Sequence, residues 1–318
     1  MTRTQETMDK NIDIVLASDG NYAQHACVAM TSVLLNTDTP ERIRFFLIDD
    51  NIDAKNKELC LKTIEKNGGS LSFVKANEEA LKNVFVSGSL TRAAYLRLDI
   101  PNILPADIDR VIYMDCDLLV LGEITELWNL DMQNKPIAAA EDYGILSSKG
   151  KRAEKTKNFD WKEEDSYFNS GVLLIDVKQW RDNDYAGKLI KLVGERSFRH
   201  HDQDALNYMF MDKWTKLPLR WNVIPPVFNM MPRIAFNSEM RKKAVEALQN
   251  VGIFHYAGGY KPWEYTIHEG FNEKYYEYLA HTEYKNVKMP QPNLKKKGHS
   301  INRQMWRLKW ASLVQKFF

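Results

Sequence analysis

The sequence predicts an α/β fold built on a mostly parallel sheet. Strand and helix patterns alternate through its first half, an order that calls for parallel strands covered on both faces. The run Val111-Ile-Tyr-Met114 is apolar without alternation, as a strand buried on both sides is. That run ends in Asp115-Cys116-Asp117, at the carboxyl end of a strand, where open α/β sheets bind their ligands.

The elements follow in order. Residues 12–17 read as a strand and 22–35 as a helix; 44–48 form a second strand and 54–67 a charged helix. Gly68-Gly69 stops that helix, and 71–74 give a third strand. A helical stretch around 91–98 leads to Pro101, before the strand that carries Asp115. Beyond it, strands are expected at 136–140, 171–177 and 253–256, with helices at 185–195 and 202–211. The charged segment 144–164 lacks apolar periodicity and reads as a long surface loop or lid. Residues 290–298 read as a linker.

At 318 residues the chain has ample length for a full core, and 44% hydrophobic with 27% charged residues is an ordinary globular composition. Its three cysteines, Cys27, Cys60 and Cys116, form no CxxC pair, which argues against zinc and a disulfide framework and for a reducing cytoplasm. No window reaches the apolar length of a membrane span, and residues 12–17 are too short for a signal-peptide core. The net charge of +2 hides an asymmetry: residues 284–318 hold nine bases and no acid, so the remainder is seven units negative. A basic tail on an acidic body is not the charge pattern of a nucleic-acid binder.

Two carboxylates one residue apart repel, and a divalent cation is the usual reason to keep both ionised; a solvated turn is the alternative. In Ala17-Ser-Asp19-Gly-Asn21-Tyr22 a strand end meets a helix start, and Asp19 can serve a ligand or simply a cap. Neither GxGxxG nor a P-loop occurs, so this is not a dinucleotide or Walker fingerprint. His255 follows an apolar strand and can ligate a metal or pack in the core. Gly258 and Gly259 permit close backbone approach to an anion, and Lys261 offers a point charge. Asp202 and Asp204 open a helix, where acids also complement the dipole.

Six segments in register resemble glycosyltransferase family 8, the group containing glycogenin and the bacterial lipooligosaccharide galactosyltransferases. They are Ala17-Ser-Asp19-Gly-Asn21-Tyr22, Ala94-Tyr95-Leu-Arg97-Leu, Tyr113-Met-Asp115-Cys116-Asp117-Leu-Leu-Val, Phe168-Asn169-Ser-Gly171-Val-Leu-Leu-Ile, His201-Asp202-Gln203-Asp204 and His255-Tyr-Ala-Gly258-Gly-Tyr-Lys261-Pro-Trp263. The resemblance implies a single Rossmann-like nucleotide-diphospho-sugar transferase domain of the GT-A type at 11–283. Its nucleotide-binding half would be about 11–120 and its sugar and acceptor half about 121–283. It implies retaining transfer of a hexose from UDP-glucose or UDP-galactose to a glycan, glycolipid or lipid-linked acceptor, with Mn²⁺ or Mg²⁺. Asp115, Asp117 and His255 would bind the metal, with Cys116 between the acids contributing to the donor site. Ala17, Asp19 and Asn21 would hold the uridine end, and Gly258 and Lys261 the phosphates. Arg97, Asp142, Asn169, Asp202 and Gln203 would face the donor sugar, the last four as the catalytic set.

Two other functions compete. An Asp-x-Asp phosphatase shares the strand-end acids but expects Thr or Val where Leu119 stands. A non-catalytic nucleotide-sugar binder would keep the fold without turnover. In the tail, Trp306, Trp310, Leu313 and Phe317 share one helical stripe flanked by Arg303, Arg307, Lys309 and Lys316, after a candidate cap at Ser300. Such a helix suits an anionic membrane surface, which would make the protein peripheral on the inner face; docking on the body or on a partner subunit is the alternative.

Overall fold

The computed structural model describes residues 11–76, 93–159, 161–162, 164–259, 261–264 and 271–288, with 310 and 313. Its first half follows the predicted order: β1 (Ile12–Asp19), α1 (Ala23–Leu35), β2 (Ile43–Asp50), α2 (Ala54–Lys66) and β3 (Ser70–Lys75). Asp53 caps α2 by accepting from the Asn56 N–H at 2.9 Å, and Gly68, at φ +88°, supplies the left-handed residue that ends it. The helix expected at 91–98 is broken into α3 (Ala93–Leu96), a 3₁₀ turn at Arg97–Asp99 and α4 (Ile100–Ile103), with Pro101 inside the first turn of α4. Thr91 and Arg92 lie outside the described residues.

The chain continues through β4 (Arg110–Met114), β5 (Leu118–Val120), α5 (Ile124–Trp128) and β6 (Ile137–Glu141). The next segment corrects the expectation of a long loop at 144–164, since it holds α6 (Tyr143–Leu146) and α7 (Lys149–Phe159). Among the described side chains of α7, those buried are Lys155 and Phe159, one turn apart. A lysine on the inner stripe hides the apolar period on which a helix reading depends. Then come β7 (Phe168–Asp176), α8 (Val177–Asp182), α9 (Tyr185–Glu195), α10 (His201–Phe210) and β8 (Trp214–Lys216). The chain closes with α11 (Pro225–Phe228), α12 (Pro232–Ala235), α13 (Ser238–Gln249), β9 (Ile253–His255) and α14 (Phe271–Leu279).

Seven strands form the main sheet in the order β3-β2-β1-β4-β7-β6-β8. Its pairings are parallel except those of β7, which runs against both β4 and β6. Alternate residues of each strand feed opposite faces. In β1, Ile12, Ile14 and Leu16 pack with α1, while Val15 and Ala17 join the cluster that holds Trp180, Leu189, Leu206 and Phe210 of α8 to α10. A second sheet pairs β5 with β9 antiparallel, placing Leu118 opposite His255. This is the pairing that brings the end of the chain back to the acids after β4.

Of the tail helix, only Trp310 and Leu313 are described; the linker and the rest of the stripe lie outside the described residues. The Trp310 indole N–H donates to the Met230 carbonyl at 3.2 Å, and its ring lies 5.8 Å from that of Phe236. Among the described residues no helix is long and apolar enough to cross a membrane.

Candidate functional site

The carboxyl ends of β1 and β4, the start of antiparallel β7, the end of β9 and the first turn of α10 converge on a cavity of about 610 Å³. Because β7 is reversed, its amino end, not its carboxyl end, lies at this edge and delivers Asn169, Ser170 and Gly171. The ladder between β4 and β7 extends one bond further, with the Asp115 N–H donating to the Gly171 carbonyl at 2.8 Å. The Tyr256 N–H donates to the Asp117 carbonyl at 2.8 Å, tying β9 to the other acid.

Asp115, Asp117 and His255 stand together, with one candidate ligand atom from each lying within 4.8 Å of the others. His255 Nε2 is 3.3 Å from Asp117 Oδ1 and 3.8 Å from Asp115 Oδ2. Its other nitrogen, Nδ1, is 2.9 Å from Asn222 Oδ1. Asn222 uses its amide N–H on Asn169 Oδ1, so its own oxygen is free to accept, and Nδ1 carries the proton. The Nε2 lone pair therefore faces the two carboxylates, which is the tautomer a metal ligand needs. Gly171 leaves the room: a Cβ there would lie 2.8 Å from Asp115 Oδ2 and closer still to the His255 ring. Two carboxylates and one imidazole, with space kept by a glycine, fit a divalent cation such as Mn²⁺ or Mg²⁺.

The charges around the acids are arranged as a network. Burial alone would raise the Asp117 carboxyl, yet the Lys261 ammonium beside it holds it below the usual carboxylate range. Lys261 bonds both Asp117 Oδ2 and the Tyr256 carbonyl. Arg97 is buried, which would lower it, but Asp115 and Asp202 more than compensate and keep it charged. Its guanidinium lies 2.8 Å from Asp115 Oδ1 and 3.1 Å from Asp202 Oδ2, and sits over the Tyr113 ring at 4.5 Å. Burial raises the Asp202 carboxyl against the pull of Arg97. The Tyr113 hydroxyl also donates to Asp115 Oδ1, at 3.0 Å.

On the opposite wall, amides are locked by carboxylates. Asp142 Oδ2 accepts from Asn169 Nδ2 and from Gln203 Nε2, each at 3.1 Å. Asp142 Oδ1 accepts from the Ile145 N–H at 3.0 Å, which caps α6. Gln203 Oε1 accepts from the Ser170 N–H at 3.1 Å.

Among the residues singled out in the sequence, Ala17, Asp19, Arg97, Asp115, Cys116, Asp117, Asn169, Gln203, His255, Gly258 and Lys261 line the cavity. Asn21, Asp142 and Asp202 do not line it. Asn21 is exposed and donates its backbone N–H to Asp19 Oδ1 at 3.0 Å, while Asp142 and Asp202 are buried behind Asn169, Gln203 and Arg97. Cys116 is a buried thiol that donates to the Ala17 carbonyl at 3.1 Å, joining β1 to the acid turn. The sequence reading missed Asn222 and Ser170 as supporting groups. Asn222 sits in a 3₁₀ turn without a local signal, and only its contact with His255 reveals it.

Comparison with known proteins gives the family and the fold. Residues 13–267 match the model of "Glycosyl transferase family 8". General stress protein A of Bacillus subtilis (strain 168) is 32% identical over 292 residues, spanning 90% of this chain and 99% of that protein. The lipopolysaccharide 1,2-glucosyltransferase of Escherichia coli (strain K12) is 24% identical over 259 residues, 79% of this chain and 72% of that one. Among solved structures, the galactosyltransferase LgtC in complex with donor and acceptor sugar analogues superposes with a TM-score of 0.72 at 26% identity, over 88% of this chain and 98% of LgtC. The α/β architecture is thus the GT-A fold of LgtC, and a family match over most of its length means that the chain belongs to glycosyl transferase family 8.

Proposed function

We propose that this protein is a divalent-metal-dependent, retaining hexosyltransferase that moves glucose or galactose from a UDP-sugar to a glycan or glycolipid acceptor. The observation that carries the reading is the meeting of Asp115, Asp117, His255 and Lys261 on one cavity whose far wall presents Asn169 and Gln203. When bound by Asp115, Asp117 and His255, Mn²⁺ or Mg²⁺ would supply Lewis-acid stabilisation to the diphosphate as it departs.

The chain's own residues do the rest. Lys261 is a half-buried cation beside the acids and is poised to neutralise a phosphate, with Gly258, at φ +95°, allowing backbone approach. The turn at Ala17 and Asp19 closes the end of the cavity assigned to the uridine. Asp19 spends one carboxylate oxygen on the Asn21 and Tyr22 N–H groups, which fixes that turn, and retains the other for a ligand. Arg97 bridges Asp115 and Asp202, so Asp202 acts through Arg97 in holding the metal-binding carboxylate in place. The wall facing the sugar then offers the Gln203 carboxamide, whose oxygen can stabilise positive charge on the anomeric carbon and is a poor nucleophile. This supports front-side attack by the acceptor over a covalent carboxylate ester.

A second cavity of about 560 Å³ shares Ala257, Gly258 and Gly259 with the first and carries Lys151 and Arg233 on its rim. We assign the acceptor to it. On this reading the nucleotide-binding half is about 11–120, the acceptor half about 121–283, and the basic tail from 284 to 318 holds the enzyme peripherally at the inner face of a membrane.

The test is release of UDP from UDP-glucose and UDP-galactose in Mn²⁺, in Mg²⁺ and in EDTA. Metal-dependent release with one donor, reduced at least 100-fold in Asp117→Asn, is expected. No release and no donor-dependent rise in melting temperature in folded protein would leave only the fold.

A further inference from the structure

Behind Gln203 lies an ion pair that the chemistry just described does not use. Lys155 of α7 and Asp204 of α10 are each 1% exposed at the side chain and stand 2.6 Å apart. Lys155 also donates to His200 Nδ1 at 2.8 Å, and Glu154 Oε1 lies 4.0 Å from its ammonium. A buried pair of this kind gains little stability over apolar residues of the same volume, so its presence calls for another role.

Its hydrogen bonds supply one. Asp204 Oδ2 accepts from the His200 N–H at 2.8 Å, and Oδ1 accepts from the Tyr167 hydroxyl at 2.7 Å as well as from Lys155. An ionised carboxylate only accepts, so the Tyr167 proton must point at Asp204. The Tyr167 oxygen is then left to accept from Gln203 Nε2, at 3.1 Å. With Nε2 held by Tyr167 and Asp142, Oε1 is turned to the Ser170 N–H. A flipped carboxamide would set its oxygen against a carboxylate and its N–H against an N–H.

We propose that Lys155 and Asp204 are positioning residues that, through the Tyr167 hydroxyl, fix which end of the Gln203 carboxamide faces the donor sugar. The pair thereby couples α7, a helix outside the sheet, to the reacting centre. This rests on the transferase reading above, and the experiment separates the two.

The single substitution Lys155→Met strands a buried carboxylate and can simply unfold the chain, so the informative variant removes both charges: Lys155→Met/Asp204→Leu. Tyr167→Phe, which breaks the link without burying a charge, accompanies it. Melting temperature within a few degrees of wild type is expected for both. Turnover of the UDP-sugar should fall about 10-fold in kcat, with the donor KM changed less than twofold. In crystals of the double variant, the Gln203 carboxamide should be displaced from Ser170 and Asp142. Folded variants with wild-type kcat and a superimposable Gln203 would overturn the proposal. If the wild type turns over no donor, the transferase reading fails, and the position of Gln203 in the double variant still decides whether the pair orients it.

Discussion

At the scale of single residues, the site depends on a missing side chain as much as on the acids. A methyl group at position 171 would press on Asp115 Oδ2 and on the His255 ring, two of the three candidate ligands. Gly171→Ala is expected to fold, because the crowded atoms are side-chain ends, but to lose at least 10-fold in Mn²⁺ affinity by titration calorimetry. Unchanged affinity would move the cation site elsewhere. His25 makes a different prediction. Burial holds it down at about 3, with a smaller opposing pull from Asp117 and a push from Lys261. It stacks on Trp263 at 3.5 Å and lies 2.6 Å from the Tyr275 hydroxyl. Between pH 3 and 6.5 the unfolded chain binds a proton there that the folded chain does not, so this contribution is full above 6.5 and is lost as pH falls toward 3. Urea unfolding of His25→Gln should therefore show a pH slope over that window about 1.4 kcal/mol per pH unit shallower than wild type. Equal slopes would mean that His25 titrates normally in the fold.

At the scale of elements, one arginine organises the approach to the acid-bearing strand. Arg181 of α8 donates to five backbone carbonyls, those of Pro101, Leu104, Pro105, Ala106 and Ile108, at 2.9 to 3.1 Å. The planar guanidinium can reach all five, whereas an ammonium cannot. Arg181→Met should cost about 3 kcal/mol in urea unfolding with the slope m unchanged, and a loss below 1 kcal/mol would deny the loop that dependence. The elements also show where local reading stops. Strands β1 to β4 and helices α1 and α2 were legible because their apolar patterns are strong. Helix α7 was not, since Lys155 occupies its inner stripe, and α13 buries only Ala244 and Ala247, too small a signal to stand out. Strands β5 and β8 have three residues each, below the length at which alternation means anything.

At the scale of the molecule, the docking of Trp310 on Met230 and Phe236 seats part of the tail beside Met231, Pro232 and Arg233, on the rim of the second cavity. Phe236 is 73% exposed there, so Trp310, Phe236 and Arg233 lie together next to the proposed acceptor site. Removal of residues 289–318 is expected to abolish sedimentation with anionic vesicles while UDP release from the donor stays within twofold of full length. Retained vesicle binding would assign the tail to docking alone. By itself the sequence determined the α/β class, the order of the strong strands, the acid pair at the end of β4 and, through six motifs in register, the family. These are properties of local pattern, set by which residues a strand or a helix can bury. Only the tertiary structure decided that Lys261 meets Asp117 from 144 residues away, that a reversed β7 presents its amino end to the cavity, and that Asn222 and Lys155 stand behind the reacting groups. Those placements follow from strand pairing and from the demand that every buried polar group find a partner, and neither is written in the neighbours of any one residue.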